Sequence, residues 1–131
     1  MEFLSKYIGI PYVHKGRTLE GLDCWGLVKL IYKDRGFELR DLDDYEMEGH
    51  LKGKNYFNPY ENDEWSKSSI ARPYDVALFV NTMGVAYHAG VVTPDHRLIH
   101  TAKNTGVVIV DLSTVLRMLK LDGYYGLKAA G

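Results

Sequence analysis

Leu22-Asp23-Cys24-Trp25-Gly26-Leu27-Val28, followed by Ile31, is the stretch whose reading decides the fold. Cys24, Leu27, Val28 and Ile31 fall at i, i+3, i+4 and i+7, the spacing of one helical face. Asp23 is a good N-cap, and Gly36 after Lys33-Asp34-Arg35 is a C-terminal stop. The pattern predicts a helix from Cys24 to Arg35. Its first residue is also the only cysteine in the chain. A thiol in the first turn of a helix lies beside unpaired N–H groups and the positive end of the macrodipole, which lower its pKa and suit it to act as a nucleophile. A thiol that merely begins an apolar face is the competing reading, and position alone leaves both open.

On the N-terminal side, Phe3, Leu4, Tyr7 and Ile8 recur at helical spacing until Gly9-Ile10-Pro11 breaks the pattern, which predicts a short helix. Tyr12 to Gly21 has no sustained period and reads as a loop delivering the chain to Cys24. On the C-terminal side, Glu38 to Lys67 is acidic and aromatic. Asp41, Asp43, Asp44, Glu46 and Glu48 precede Tyr56, Phe57, Tyr60 and Trp65. It reads as a long excursion with one short helix near Asn62 to Ser68, either the rim of a binding groove or a solvated linker. After Arg72-Pro73 the texture is β. Short apolar runs at Asp75 to Val80, His88 to Val92, Arg97 to His100, Val107 to Asp111 and Gly123 to Leu127 are joined by turn-like sequences, which predicts an antiparallel meander of about five strands. Before the last strand, Ser113 can cap a helix with Val115, Leu116 and Leu119 on its apolar side. Helices first and a sheet second make the class α+β.

Composition is consistent with one domain, residues 1–131. At 46% hydrophobic and 25% charged, a chain of 131 residues buries roughly two-thirds of its unfolded surface in a single core. Sixteen Lys and Arg against seventeen Asp and Glu give a net charge of -1, so no basic field points to nucleic acid or anionic lipid. One cysteine makes neither an intramolecular disulfide nor a Cys-rich zinc site. The first residues lack a basic region followed by an apolar run, and no run of about 18 apolar residues occurs. The expectation is a chain without an export signal or membrane insertion.

Five histidines are candidates to serve the thiol: His14, His50, His88, His96 and His100. His88 opens an apolar strand, Tyr87-His88-Ala89-Gly90-Val91-Val92, and His100 closes the next, Leu98-Ile99-His100-Thr101. A hairpin about Thr93 to His96 brings both to one end of the sheet, where a base and its orienting group are required. His96 and His100 are four apart, but in strand context and without the Glu of a zincin, so no metal is expected. Neither a phosphate-binding glycine pattern nor a G-x-S-x-G elbow is present.

Four ordered motifs resemble the NlpC-type cell-wall cysteine peptidases. Asp23-Cys24-Trp25-Gly26-Leu27-Val28 is similar to their nucleophile motif, and the Trp after the Cys resembles the phage tail-assembly branch, where most bacterial members carry Ser. Ile8-Gly9-Ile10-Pro11-Tyr12 resembles the entry segment with its active-site tyrosine. Arg72-Pro73-Tyr74-Asp75-Val76-Ala77-Leu78-Phe79 resembles the strand that opens the sheet, with Tyr74 in place of the usual Gly. The His88 and His100 strands resemble those of the catalytic His and the third polar residue. Gly16-Arg17 and the long acidic segment depart from typical bacterial members.

The resemblance implies a compact papain-like α+β fold in which Cys24 attacks an amide carbonyl, His88 is base and then acid, and His100 orients His88. It also implies that Tyr12 helps hold the oxyanion beside the Cys24 backbone N–H, with Asp23 capping the thiolate's helix. The family's bond is the amide after γ-D-glutamate in peptidoglycan stem peptides, cut without a cofactor. Expected partners are these peptides and other phage tail proteins. The expected location is a virion tail acting in the host periplasm and wall, or the cytoplasm before assembly. The alternative is a tail-assembly component of the same fold, inactive or cleaving a protein; an intact Cys-His-His set favours the hydrolase.

Overall fold

The computed structural model describes residues 2–41 and 64–130. In chain order the elements are α1 (Glu2–Ser5), β1 (Arg17–Thr18), β2 (Gly21–Leu22), α2 (Cys24–Asp34), β3 (Trp65–Ser68), β4 (Val76–Val80), β5 (Ala86–Val92), β6 (Arg97–Ala102), β7 (Gly106–Asp111), α3 (Leu112–Met118) and β8 (Lys120–Leu127), with a final 3-10 turn at Lys128–Ala130. The class is α+β, with α2 packed on an antiparallel sheet.

α2 forms where the periodicity predicts it. Leu27, Val28 and Ile31 are fully buried, and Gly36 leaves the helix with φ +98, a left-handed conformation that suits glycine. Two tyrosines fasten it at its C-terminal half: the Tyr7 hydroxyl bonds Asp34, and the Tyr32 hydroxyl donates to the Tyr74 carbonyl. α1 is shorter than Phe3 to Ile8. Past Ser5 the chain tightens into i→i+3 turns, Tyr7 N–H to Leu4 and Ile8 N–H to Ser5, which bury Leu4 and Tyr7 and leave Ile8 49% exposed.

The main sheet runs β3-β8-β4-β5-β6-β7. β4 to β7 are the expected meander, but β8 returns to the other side of β4 and carries β3 at the edge, making six strands. Strict alternation sorts two cores. Val76, Leu78, Ala89, Val91, Ile99, Val107 and Tyr125 face α2, while Ala77, Phe79, Val92, Leu98 and Tyr124 gather with Val115 of α3 on the other side.

Three local expectations are corrected. Residues 65–68 are strand, not helix, because Ser66-Lys67-Ser68 offers no apolar residue to a helical face, whereas an edge strand needs only the ladder to Tyr124–Leu127. Residues 62 and 63, and most of the excursion, lie outside the described residues. Ser113 lies inside α3; Asp111 occupies the N-cap position without a side-chain bond, and Leu116 is 40% exposed, because β7 runs directly into the helix. The loop before Cys24 contains a small hairpin, β1-β2, paired Arg17 to Leu22 and Thr18 to Gly21.

Candidate active site

Cys24 is the first residue of α2 and is 8% exposed. Asp23 caps the helix: its Oδ1 accepts from the Gly26 N–H at 2.8 Å. The carboxylate is buried and fully occupied, since Oδ1 also meets Arg17 Nη1 at 2.7 Å and Oδ2 accepts from the Lys15 N–H at 3.0 Å. Gly26 permits this arrangement, because a Cβ there would sit 2.0 Å from the Gly16 carbonyl oxygen. The loop carrying Arg17 therefore lies directly on the first turn of α2.

β5 packs across α2. The N–H groups of Ala89 and Trp25 hydrogen-bond the Cys24 sulfur, which sets the thiol beside the residue that follows His88. β5 and β6 pair only at Val91 with Ile99 and Val92 with Leu98. Continuing that register puts Gly90 opposite His100, so His88, two residues on, is its diagonal neighbour on the same face. The structure brings the two rings together, His88 Nε2 to His100 Nδ1 at 2.8 Å, with centroids 5.1 Å apart and planes at 75°. The Phe79 ring lies 5.8 Å from that of His88.

Tyr12 arrives on the segment that bridges to β2. It pairs with Leu22, and the Leu22 N–H donates to the Pro11 carbonyl at 3.0 Å. This places Tyr12 two residues upstream of Cys24 in space. His96 is apart from the other groups, exposed in the β5–β6 turn with φ +62. His50 lies outside the described residues.

The electrostatics differ from the sequence expectation. Burial pushes the Cys24 thiol up to about 12, and the neighbouring Asp23 charge pushes in the same direction; the two N–H groups and Arg17 act against them. The expectation that a helix start lowers the thiol pKa is thus outweighed by desolvation and by the cap's own charge. Burial, and then the charge of His100, push His88 down to about 3, and burial lowers His100 as well. At rest Cys24, His88 and His100 all favour their neutral forms.

Neither Arg17, noted in the sequence only as a departure from typical bacterial members, nor the Ala89 N–H was expected beside Cys24. An arginine between glycine-rich turns just ahead of a buried acid is the only signal for the first, and none exists for the second. Trp25 is now explained. It is 9% exposed, and its Nε1–H donates to the Arg40 carbonyl at 3.2 Å, so it packs beneath the chain leaving α2. Tyr74 has φ +67 where the resembling motif has Gly, with the Arg35 guanidinium 3.9 Å above its ring and Phe3 at its edge.

The comparisons agree with this architecture. The model of the NlpC/P60 family matches residues 9–120. The γ-DL-glutamyl hydrolase of Bacillus subtilis strain 168 is 30% identical over 122 residues, covering 91% of this chain and 26% of that protein, so the chain spans about a quarter of its length. The NlpC/p60 domain of the peptidoglycan hydrolase SagA superposes with a TM-score of 0.63 at 23% identity, covering 96% of this chain and 94% of that one. An NlpC/P60 family protein from Bacillus cereus ATCC 10987 superposes with a TM-score of 0.65 at 21% identity, covering 90% and 35%. The chain belongs to the NlpC/P60 family.

Proposed function

We propose that this domain is a cysteine peptidase that cuts an amide bond in peptidoglycan stem peptides, the bond after γ-D-glutamate. The observation that carries the reading is the His88–His100 contact on the strand whose next residue, Ala89, bonds the Cys24 sulfur through its N–H. With His88 Nε2 committed to His100 Nδ1, the nitrogen left to take a proton from sulfur is Nδ1. His88 then carries its hydrogen on Nε2 and donates it to His100, whose own hydrogen sits on Nε2. Cys24 Sγ attacks the carbonyl as its proton passes to His88 Nδ1; the C–N bond breaks as that proton goes to the leaving amine, and water hydrolyses the thioester through the same imidazole. His100 stabilises the imidazolium and fixes the ring. The Cys24 backbone N–H and Tyr12 hold the oxyanion, a role in which one donor is typically worth about 3 to 4 kcal/mol.

Family membership and the 30% identity to a γ-DL-glutamyl hydrolase support this choice of substrate. Trp25 after the nucleophile suggests a phage tail setting, with other tail proteins as partners and the host wall as the place of action. Tail particles bearing the chain, separated from free protein, should carry its hydrolytic activity. The enzymatic reading is tested with purified peptidoglycan: wild type releases stem-peptide fragments, whereas folded Cys24→Ala releases none. Equal release by both would exclude Cys24, and no release by wild type would favour an assembly role.

A further inference from the structure

Asp23 presents a chemical problem. It caps the nucleophile's helix, yet it is a buried carboxylate beside the sulfur that must lose a proton. Like charges this close oppose each other, and Asp23 contributes against ionisation of Cys24. The partner that offsets it is Arg17, whose inner edge meets Asp23 Oδ1 at 2.7 Å while Nε and Nη2 grip Asp41 at 2.9 and 2.8 Å. Only the planar fork of an arginine spans two carboxylates in this way.

We infer that Arg17 is a positioning residue for catalysis: it neutralises the buried Asp23 carboxylate, so that the group capping α2 does not hold the proton on Cys24. The inference rests on Cys24 being the nucleophile. Among the described residues, other titratable groups on the elements that meet the start of α2 are His88 on β5, His100 on β6 and Tyr12 on the segment bridged to β2. None of these neutralises an anion at Asp23: His88 and His100 are occupied with each other, and Tyr12 carries no positive charge. A merely structural Arg17, anchoring residues 15–18 on the first turn of α2, predicts a different response to removal of the Asp23 charge.

Because Cys24 is the only thiol, the rate of iodoacetamide alkylation against pH reads its ionisation directly. Arg17→Met should raise the midpoint by about one pH unit and slow alkylation about tenfold at a fixed pH below it. Asp23→Asn keeps a capping acceptor and removes the charge, so its midpoint should fall below wild type. The double variant should return to within about threefold of the wild-type rate. Arg17→Lys, which retains a charge, should fall between wild type and Arg17→Met, and circular dichroism checks each fold. If Arg17→Met does not fold, Asp23→Asn and the double variant carry the test. A midpoint unmoved in folded Arg17→Met or in Asp23→Asn overturns the inference, as does a double variant as slow as Arg17→Met. A protein that passes this test yet releases nothing from peptidoglycan would refute the proposed function instead.

Discussion

The two walls around Cys24 are built by opposite means. The strand side is neutral: His88 and His100 sit in an apolar sheet, are pushed toward their uncharged forms, and satisfy each other through one 2.8 Å contact. The helix side is charged: Asp23, 1% exposed, is held by Arg17 and by the Lys15 and Gly26 N–H groups. A neutral imidazole tolerates low dielectric because it carries no charge, whereas a buried carboxylate is tolerable only when its donors are complete. The comparison teaches that the helix start does not by itself activate this thiol. Desolvation and the cap's charge exceed the two N–H groups, and under the proposed mechanism the strand side takes the proton.

Breaking the strand side should have the largest effect. His88→Ala is expected to lower kcat/KM for stem-peptide release by about 10³- to 10⁴-fold, with the fold retained. His100→Ala should lose less, and His100→Asn, which keeps an acceptor, should recover part of that loss. Tyr12→Phe follows, at about 10²- to 10³-fold in kcat if its hydroxyl holds the oxyanion; an unchanged kcat would remove Tyr12 from the mechanism.

Breaking the helix side should appear mainly in stability. Asp23→Ala removes the cap, leaves the buried Gly26 N–H and the part-buried Lys15 N–H without their acceptor and leaves Arg17 Nη1 with the Gly16 carbonyl, a loss of about 3 kcal/mol by chemical denaturation. Asp23→Asn should lose distinctly less.

A further effect sharpens the comparison by pH. The unfolded chain protonates its histidines near pH 6.5, while His88 folded does so only near 3. As pH falls from 6.5 toward 3 the unfolded state therefore binds more protons, and stability declines; above 6.5 this contribution is constant. One such group gives a slope of about 1.4 kcal/mol per pH unit. His88→Asn should reduce the slope between pH 4 and 6 by about one proton, and an unchanged slope would show that His88 is not held neutral.

Much of this was legible in the sequence where local pattern and tertiary role coincide. α2 carried a cap, a four-residue apolar face and a glycine stop, and β4 to β7 were apolar runs between tight turns. The meeting of His88 with His100 followed from hairpin spacing, because the register keeps both on one face. β3 was not legible, since Ser66-Lys67-Ser68 is held by backbone bonds to β8 rather than by any apolar period. The β1-β2 hairpin has only two residues in each strand, too few to show alternation. Nor was the Arg17 bridge: Asp23 is 6 residues away and Asp41 is 24, and no sequence period links them. The rise in the Cys24 pKa was hidden for the same reason, because burial is a property of the packed sheet.

The central claim is that Cys24 and the His88–His100 pair cut a defined amide of the bacterial wall. Mass spectrometry of muropeptides before and after digestion tests it most directly. The account predicts that wild type converts stem peptides into products ending at γ-D-glutamate, with the complementary fragment bearing a new free amine. Muropeptide masses unchanged after prolonged digestion by folded wild-type protein would contradict it.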